Sequence, residues 1–280
     1  MKHGAQTDIG KRRDINEDAY LTNGAIFAVA DGMGGHKAGE VASALALKVL
    51  AENLDFEKDI FKTLSSSIKK ANKTVYRESV TSPGKHGMGT TLTVVIIKNN
   101  KAIIGHIGDS RAYLLRDLKL VQLTRDHSLV AQMVKEGQLT AKEARFHPQR
   151  SIITRALGAK EVAEPDIFEF TIKSKDRVLL TTDGLTSMLA DAEILKILIQ
   201  NLEPQAACNL LVDEANKRGG LDNITVVLID FDEADITTAN PSSLKKQGGR
   251  AKTFFFLGAL AIIAITFLYV FLGRYVSLVK

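Results

Sequence analysis

Four aspartates, each beside an apolar run, are the side chains whose type and placement point to chemistry in this sequence. Asp31, Asp109 and Asp183 each follow an apolar run, and Asp222 stands just before one. Carboxylates gathered at the ends of strands repel one another unless a cation lies between them. An all-oxygen ligand set favours Mg²⁺ or Mn²⁺, and zinc or copper is disfavoured because no histidine or cysteine cluster accompanies the acids.

A pair of divalent ions about 4 Å apart can clamp a phosphoryl group and lower the pKa of a bound water. The glycine-rich turn after Asp31 would expose the carbonyl of Gly32 to such an ion. A phosphate substrate also needs a cation from the protein, and Arg13 is the best candidate because its planar fork fits phosphate oxygens. Glu17 or Asp18, close by in the sequence, could orient the attacking water or its neighbours.

Other interpretations of these residues remain open at this point. An isolated Asp-Gly is more often a hairpin turn than a metal ligand, and Asp109 with Ser110 could cap a helix. The segment Asp31–Gly35 is not a P-loop, because no Gly-Lys-Ser/Thr follows its glycines. Two carboxylates could also serve a glycosidase, but their separation cannot be read from the sequence.

The elements that would position these acids follow from the hydrophobic pattern. One helix is predicted from Ala38 and a second over about 56–79, where apolar residues recur every three or four positions. Asn99-Asn100 predicts a hairpin turn between two β-branched runs. Residues 124–157 predict a helical flap inserted between strands, with capping-box spacing at Thr140.

The predicted order is strands, two helices, strands, flap, strands, two helices and a last strand. The later pair of helices is expected around 192–200 and 204–218, and the last strand over 223–231. Paired helices beside antiparallel strands indicate an α+β fold. A sandwich of two antiparallel sheets flanked by helices would use every predicted element.

The charge of the chain lies mainly in its C-terminal part. The net charge is +5, but residues 241–280 carry six basic residues and no acid, which leaves 31 basic and 32 acidic residues in 1–240. The body has no basic stripe with interleaved aromatics, so direct nucleic-acid binding is not expected. A single cysteine excludes an internal disulfide.

The C-terminal segment predicts a membrane helix. Residues 253–273 are uncharged and apolar, and as a helix they would span roughly 31 Å, which matches a bilayer core. Residues 234–252 predict a polar, basic juxtamembrane linker, and 274–280 a short external tail. The excess of basic residues before the span predicts a single-pass protein of the cytoplasmic (inner) membrane, with its folded domain, residues 1–233, on the cytoplasmic side.

Six short motifs occur in order over about 210 residues and together resemble one family. They are Arg13-x-x-Asn16-Glu17-Asp18, Phe27-Ala-Val-Ala-Asp31-Gly-Met-Gly-Gly35, Gly87-Met-Gly-Thr-Thr91, Gly108-Asp-Ser-Arg111, Thr182-Asp-Gly184 and Asp222-Asn223. This set looks like the metal-dependent protein phosphatase family, PP2C or PPM type, in its bacterial form. The resemblance covers residues 5–231.

The resemblance implies a four-layer α-β-β-α sandwich with two Mn²⁺ or Mg²⁺ ions in its cleft. By motif match, Asp31 would bridge the two ions. The Gly32 carbonyl would join one metal shell, and Asp183 and Asp222 the other. Asp109 resembles the ligand of a third, weaker metal found in bacterial members, with Ser151 of the flap as a candidate helper.

The resemblance also implies catalytic roles and partners. Arg13 matches the phosphate-binding arginine, and Glu17 and Asp18 match an acidic pair that hydrogen-bonds metal-bound waters. A metal-activated water would attack phosphorus directly. Many eukaryotic members of that family carry a histidine directly after Asp-Gly, where this chain has Met33, so His36 is a weak candidate for the acid that protonates the leaving group.

The leading hypothesis is therefore a membrane-tethered protein serine/threonine phosphatase. Its partners would be phosphorylated proteins, as targets of a bacterial Ser/Thr kinase, and the membrane through the C-terminal helix. Two alternatives stay open. One is a catalytically weak, membrane-anchored pseudophosphatase that binds phosphopeptides. The other is phosphatase chemistry on a small phosphomonoester.

Overall fold

The computed structural model describes residues 1–35, 38–233 and 235, and its strands form two antiparallel sheets. The strands of the first sheet are β1 (Lys2–Asp8), β7 (Arg111–Arg116), β8 (Lys119–Gln122), β10 (Arg177–Thr181) and β11 (Ile224–Asp230). Their spatial order is β1-β11-β10-β7-β8. The first and last described strands, β1 and β11, are therefore neighbours. Lys2 pairs with Asp230 at one end of this strand pair, and Asp8 pairs with Ile224 at the other.

The second sheet is built from the other six strands of the described residues. They are β2 (Asp18–Asn23), β3 (Ile26–Met33), β4 (Gly89–Thr90), β5 (Leu92–Lys98), β6 (Lys101–Ile107) and β9 (Asp166–Thr171). The order is β2-β3-β5-β6-β9, and β4 pairs with the far end of β3. Both Asn99 and Asn100 have positive φ, which is the backbone of a two-residue hairpin turn and confirms the turn predicted there.

Helices flank both sheets. They are α1 (Ala38–Asn53), α2 (Ile60–Thr81), α3 (Leu129–Lys135), α4 (Ala141–Phe146), α5 (Asp183–Met188), α6 (Asp191–Leu198) and α7 (Pro204–Lys217). The flap consists of α3 and α4, inserted between β8 and β9 as predicted. Its second helix has the predicted capping box, in which the Thr140 hydroxyl and the Glu143 carboxylate satisfy each other's backbone N–H groups.

Three clusters of buried side chains account for the layers. One packs α1 and α2 against the second sheet, around Ala46, Leu64 and Ile68. Another lies between the two sheets, and a third packs the first sheet against α6 and α7. Because each sheet is apolar on both faces, its strands read as nearly continuous hydrophobic runs. The described residues thus form the predicted α+β sandwich of two antiparallel sheets with helices outside.

Three local predictions were wrong in detail. The second helix begins at Ile60, not near 56, because the Asp59 side chain accepts hydrogen bonds from Phe61 N and Lys62 N and caps it there. Asp183 lies in the first turn of α5, which is a third helix where two were predicted. Asp31 lies inside β3, since β4 supplies partners that extend the strand to Met33.

Within the described residues, no helix is long and apolar enough to cross a bilayer. The predicted membrane helix (253–273) and the tail lie outside the described residues, as does all of the predicted linker except Asp235. His36, the weak candidate acid, is also outside them.

Candidate active site

Two of the predicted site aspartates face each other across a strand pair. Asp18 opens β2 and is the direct cross-strand partner of Asp31 in β3. Side chains in this position on one face lie about 5 Å apart at Cβ, and like charges there are destabilising. The antiparallel register therefore brings the two carboxylates together without help from any loop.

The backbone around Asp31 is held by two threonines, one at the end of β4 and one directly after it. Asp31 N donates to Thr91 Oγ1 over 2.9 Å, and Thr90 Oγ1 donates to Asp31 O over 2.9 Å. The Thr91 hydroxyl is also 2.6 Å from Ser110 Oγ, beside Asp109. These contacts fix the Asp31 strand relative to the Asp109 loop and explain the two threonines of the Gly-Met-Gly-Thr-Thr motif.

Gly32 is required because helix α1 passes directly over it. A Cβ at this position would lie 2.1 Å from Gly39 O and 2.5 Å from Glu17 O. Gly32 N instead donates to Glu17 O over 3.2 Å. Any side chain here would push α1 and the Glu17 loop away from the aspartates.

Asp183 enters the site through the start of α5. The preceding hydroxyl, Thr182 Oγ1, donates to Asp18 Oδ2 over 2.8 Å and accepts from Thr225 N over 3.0 Å. A Cβ on Gly184 would lie 1.9 Å from Asn223 O, so this turn can approach the β11 start only with glycine. The close approach places Asp183 beside the Asp222-Asn223 pair.

Asn223 fastens the loop that carries Arg13. Its Oδ1 accepts from Glu17 N over 2.8 Å, and its Nδ2 donates to Ile9 O over 2.9 Å and to Ile15 O over 3.0 Å. The residue is 5% exposed, so water does not compete for these bonds. With the loop held this way, Arg13 Nη2 reaches Asp222 Oδ2 at 2.7 Å.

The Glu17 carboxylate is directed at the beginning of α1. Its Oε1 accepts a hydrogen bond from Gly39 N over 3.1 Å, where the helix dipole favours negative charge. Burial raises the pKa of Glu17, and the bond from Gly39 opposes that shift. This contact gives Glu17 a structural task, and its predicted contact with metal-bound waters stays a prediction.

The electrostatics show that the aspartates share one low-dielectric site. Burial, followed by the charges of Asp183 and Asp222, raises the pKa of Asp18 to about 7, and the nearby hydroxyls of Thr225 and Thr182 oppose that shift. Burial and the Asp222 charge raise the pKa of Asp183 to about 6. The Asp31 pKa lies well above its ordinary value because of burial and then the Asp18 charge.

Asp109 belongs to the same group. Burial and the neighbouring charge of Asp183 raise its pKa well above the ordinary value. The residue is 7% exposed. Ser151, its predicted helper, is exposed on the flap and lines the same cleft.

The carboxylate set fits a hard divalent cation. Asp18 Oδ1 and Asp109 Oδ1 are enclosed oxygens with no hydrogen-bond partner, and they belong to a group of five aspartates whose charges oppose one another. In the described residues, however, no three His, Cys, Asp or Glu side chains stand at ligand spacing. Mutual repulsion keeps carboxylates apart unless a cation binds between them, and the shared burial and charge of these five fit such a cation.

The sequence alone did not reveal the residues that hold the acids in place, namely Thr91, Thr182 and Asn223. The only local signal was their position next to or near an aspartate in each motif. The sequence alone did not reveal the role of Arg111 either. It forms a two-pronged ion pair with Asp126, with Nη2 2.7 Å from Oδ2, and supports the floor of the cleft.

Comparison with known proteins decides the family. The model of the protein phosphatase 2C family matches residues 9–224, and this range contains all eight predicted site residues. The chain belongs to the PP2C family. The α+β fold of two antiparallel sheets described above is the PP2C-like fold.

Two relatives are named as a serine/threonine protein phosphatase, PstP, and a protein phosphatase, PhpP. PstP of Mycobacterium tuberculosis is 40% identical over 243 residues, which cover 86% of this chain and 47% of PstP. PhpP of Streptococcus pneumoniae is 39% identical over 245 residues, covering 84% of this chain and 99% of PhpP. The chain therefore spans about half the length of the first relative and nearly all of the second.

A solved PP2C structure carries the metal that the carboxylates suggest. It is the catalytic domain of the serine/threonine protein phosphatase PstP in complex with two manganese ions. It is 39% identical, has a TM-score of 0.75, and the match covers 82% of this chain and 97% of that one.

Proposed function

We propose that this chain is a metal-dependent protein serine/threonine phosphatase. The observation that carries the proposal is the convergence of five aspartates and Arg13 from five separate segments onto one site of a PP2C fold. The naming of relatives as serine/threonine protein phosphatases supports it. Arg13 Nη2 lies 2.7 Å from Asp222 Oδ2, which supports Arg13 as the cation that would bind the phosphate.

Asp31, the Gly32 carbonyl, Asp183 and Asp222 would hold two Mn²⁺ or Mg²⁺ ions, and Asp109 would serve a third. The two manganese ions in the relative's structure support this assignment. When bound, such ions supply Lewis-acid stabilisation of a phosphoryl group and a lowered pKa for a bound water. The enclosed, unpartnered oxygen of Asp109 fits a role as an additional ligand.

The protein's own residues bind and orient the phosphate. The Arg13 guanidinium presents several N–H donors in one plane, so it can contact phosphoryl oxygens while one donor remains on Asp222. Thr182 Oγ1 fixes the orientation of the Asp18 carboxylate, whose other oxygen is free to accept a proton or a hydrogen bond from water. We assign Asp18 to orienting that water.

The phosphoryl group is proposed to pass directly to water. In the described residues, the thiol of Cys208 is buried in the core between the first sheet and the outer helices, away from the cleft. Ser110, next to Asp109 in the sequence, is fully buried, and its hydroxyl is bonded to Thr91. Neither side chain is placed to accept a phosphoryl group.

Membrane tethering is part of the proposal. Its support is the uncharged run 253–273 with the basic residues before it. The substrates would then be phosphorylated cytoplasmic proteins, as targets of a bacterial Ser/Thr kinase. When cells that express the full chain are fractionated, the protein should be found in the membrane pellet and should resist extraction with salt. Recovery in the soluble fraction would exclude the tether.

The phosphatase proposal is tested with the full chain and a phosphothreonine peptide. Turnover should disappear on thorough chelation and return with Mn²⁺. Asp183→Asn should lose most of the Mn²⁺-dependent turnover and bind Mn²⁺ more weakly by calorimetry, whereas the exposed Asp213→Asn on α7 should match the wild type. Turnover that survives chelation would overturn the metal assignment. Tight peptide binding with no turnover would instead support the pseudophosphatase.

A further inference from the structure

A long groove extends from the candidate active site under the flap. It has a volume of about 920 Å³ and begins at Asp109 and Asp183. The flap helices α3 and α4 form one wall, and the other is formed by the end of α5 and the start of α6. This volume lies at the upper end of the range for ligand pockets, so the groove is large enough for a stretch of extended peptide.

The wall formed by the flap is lined with exposed cations. Arg125, Lys135, Lys142 and Arg150 all line the groove and are exposed. Each of the 15 salt bridges between described residues involves other groups, so none of these four side chains is ion-paired within the described part of the chain.

The carboxylates farther along the groove are already engaged. Asp126 accepts the two-pronged ion pair from Arg111, and Asp191 accepts a hydrogen bond from Tyr113 Oη over 3.0 Å. The groove is therefore acidic at its inner end, near Asp109 and Asp183, and positive toward its mouth. Clefts lined by one sign of charge concentrate the oppositely charged ligand.

We propose that this groove binds acidic residues that flank the phosphoresidue in the substrate protein. The inference rests on the proposed phosphatase function and adds a substrate preference to it. Charge complementarity identifies the ligand. When the phosphate of a substrate segment lies at the aspartates of the candidate site, Glu or Asp residues beside the phosphoresidue contact the basic side chains of the flap. The chain's own residues 241–280 do not fit, because they carry six basic residues and no acid.

Two matched phosphothreonine peptides test the groove, one with glutamate on both sides of the phosphoresidue and one with glutamine. With the full chain and Mn²⁺, we expect kcat/KM to be roughly tenfold higher for the glutamate peptide, mainly through a lower KM, because several weak exposed ion pairs add to long-range attraction. The preference should shrink toward one at about 1 M salt, where the screening length falls to about 3 Å.

Charge reversal on the flap provides the structural control. Lys142→Glu combined with Arg150→Glu should bring the ratio of the two kcat/KM values close to one, and should create a preference for a third peptide with lysine flanks. If the double variant folds less well or catalyses more slowly, its kcat/KM falls equally for every peptide, so the ratios do not change. Lys73→Glu, an exposed reversal on α2, should keep the wild-type ratio.

The outcomes separate this inference from the function on which it rests. Equal kcat/KM for the glutamate and glutamine peptides, with good turnover of both, would overturn the groove assignment and leave the phosphatase intact. A preference that survives the double reversal would show that acidic flanks bind elsewhere. No turnover of any phosphopeptide would instead overturn the phosphatase proposal.

Discussion

The guanidinium of Arg13 donates to Oδ2 of Asp222 over 2.7 Å, joining the predicted phosphate-binding cation to a predicted metal ligand. The two residues are separated by 209 positions and meet because Asn223, next to Asp222, holds the loop that contains Arg13. Arg13 is half-exposed, so a ligand can reach its remaining N–H donors.

We expect Arg13→Ala to lower kcat/KM for a phosphothreonine peptide roughly 10- to 100-fold, because a hydrogen bond to a charged group contributes about 1.5–3 kcal/mol. Most of the loss should lie in KM. Mn²⁺ binding, measured by calorimetry, should be as tight or tighter, since a competing cation leaves Asp222. Arg12→Ala, the exposed neighbour, serves as the control. Weaker Mn²⁺ binding by Arg13→Ala would contradict the assignment.

Mn²⁺ should stabilise the folded chain by relieving repulsion among the aspartates. At a concentration about 100 times its Kd, the ion contributes about 2.7 kcal/mol, which corresponds to a rise in Tm of several degrees. Asp31→Asn should lose most of this rise while its metal-free Tm equals or exceeds that of the wild type, because a buried like charge opposite Asp18 is removed. A full Mn²⁺ response in differential scanning fluorimetry would show that Asp31 is no ligand.

Asn223→Ala should destabilise the fold and displace Arg13. Three hydrogen bonds are lost, which we expect to cost about 2–4 kcal/mol in urea unfolding. KM for the phosphopeptide should rise more than the Kd for Mn²⁺, because the loop with Arg13 moves while Asp31 and Asp183 stay. Asn209→Ala on the exposed face of α7 is the matched control. An unchanged KM would mean that another contact holds the loop.

His106 should make the fold weaker in mild acid. It is fully buried, with Nε2 donating to Arg125 O over 3.0 Å and Nδ1 2.9 Å from Thr93 Oγ1. Burial, followed by the charge of His127, lowers the pKa of His106 to about 4. The unfolded chain binds a proton below about pH 6.5 and the native chain does not, so stability falls as the pH drops from about 6.5 to 4.

The size of this effect is roughly 3 kcal/mol, from about 1.4 kcal/mol for each unit of pKa. Asp18 and Asp183 titrate in the same range with the opposite sign, since a raised carboxyl pKa stabilises the native state as the pH falls. Comparison of wild type with His106→Gln, by urea unfolding at pH 7 and pH 4.5, isolates the histidine. Parallel pH profiles for the two proteins would refute its role.

The strands and the neighbourhoods of the aspartates could be predicted from sequence because both follow from local pattern. An apolar run limited by glycines or asparagines defines a buried strand, and the acids stand beside such runs. The capped flap helix at Thr140 and the Asn99-Asn100 turn are signals of the same short range. The tail and His36 lie outside the described residues, so those predictions stay predictions.

The contacts that hold the site together could not be predicted, because they join residues far apart in sequence. Nothing local shows that the Glu17 carboxylate meets the start of α1, or that Asn223 binds the carbonyls of Ile9 and Ile15. The groove is of the same kind, since its two walls come from the flap and from α5 and α6. Even the start of α2 depended on one side-chain cap, at Asp59.

The pairing of β1 with β11 also bears on how the protein is made. Synthesis proceeds from the N-terminus, so β1 has to wait for its partner until nearly all of the described chain has left the ribosome. Arg13 lies five residues after β1 and Asp222 two residues before β11, so the two halves of the proposed phosphate site stay apart for the same interval. A nascent chain therefore remains without its candidate active-site cleft until translation of the domain is complete.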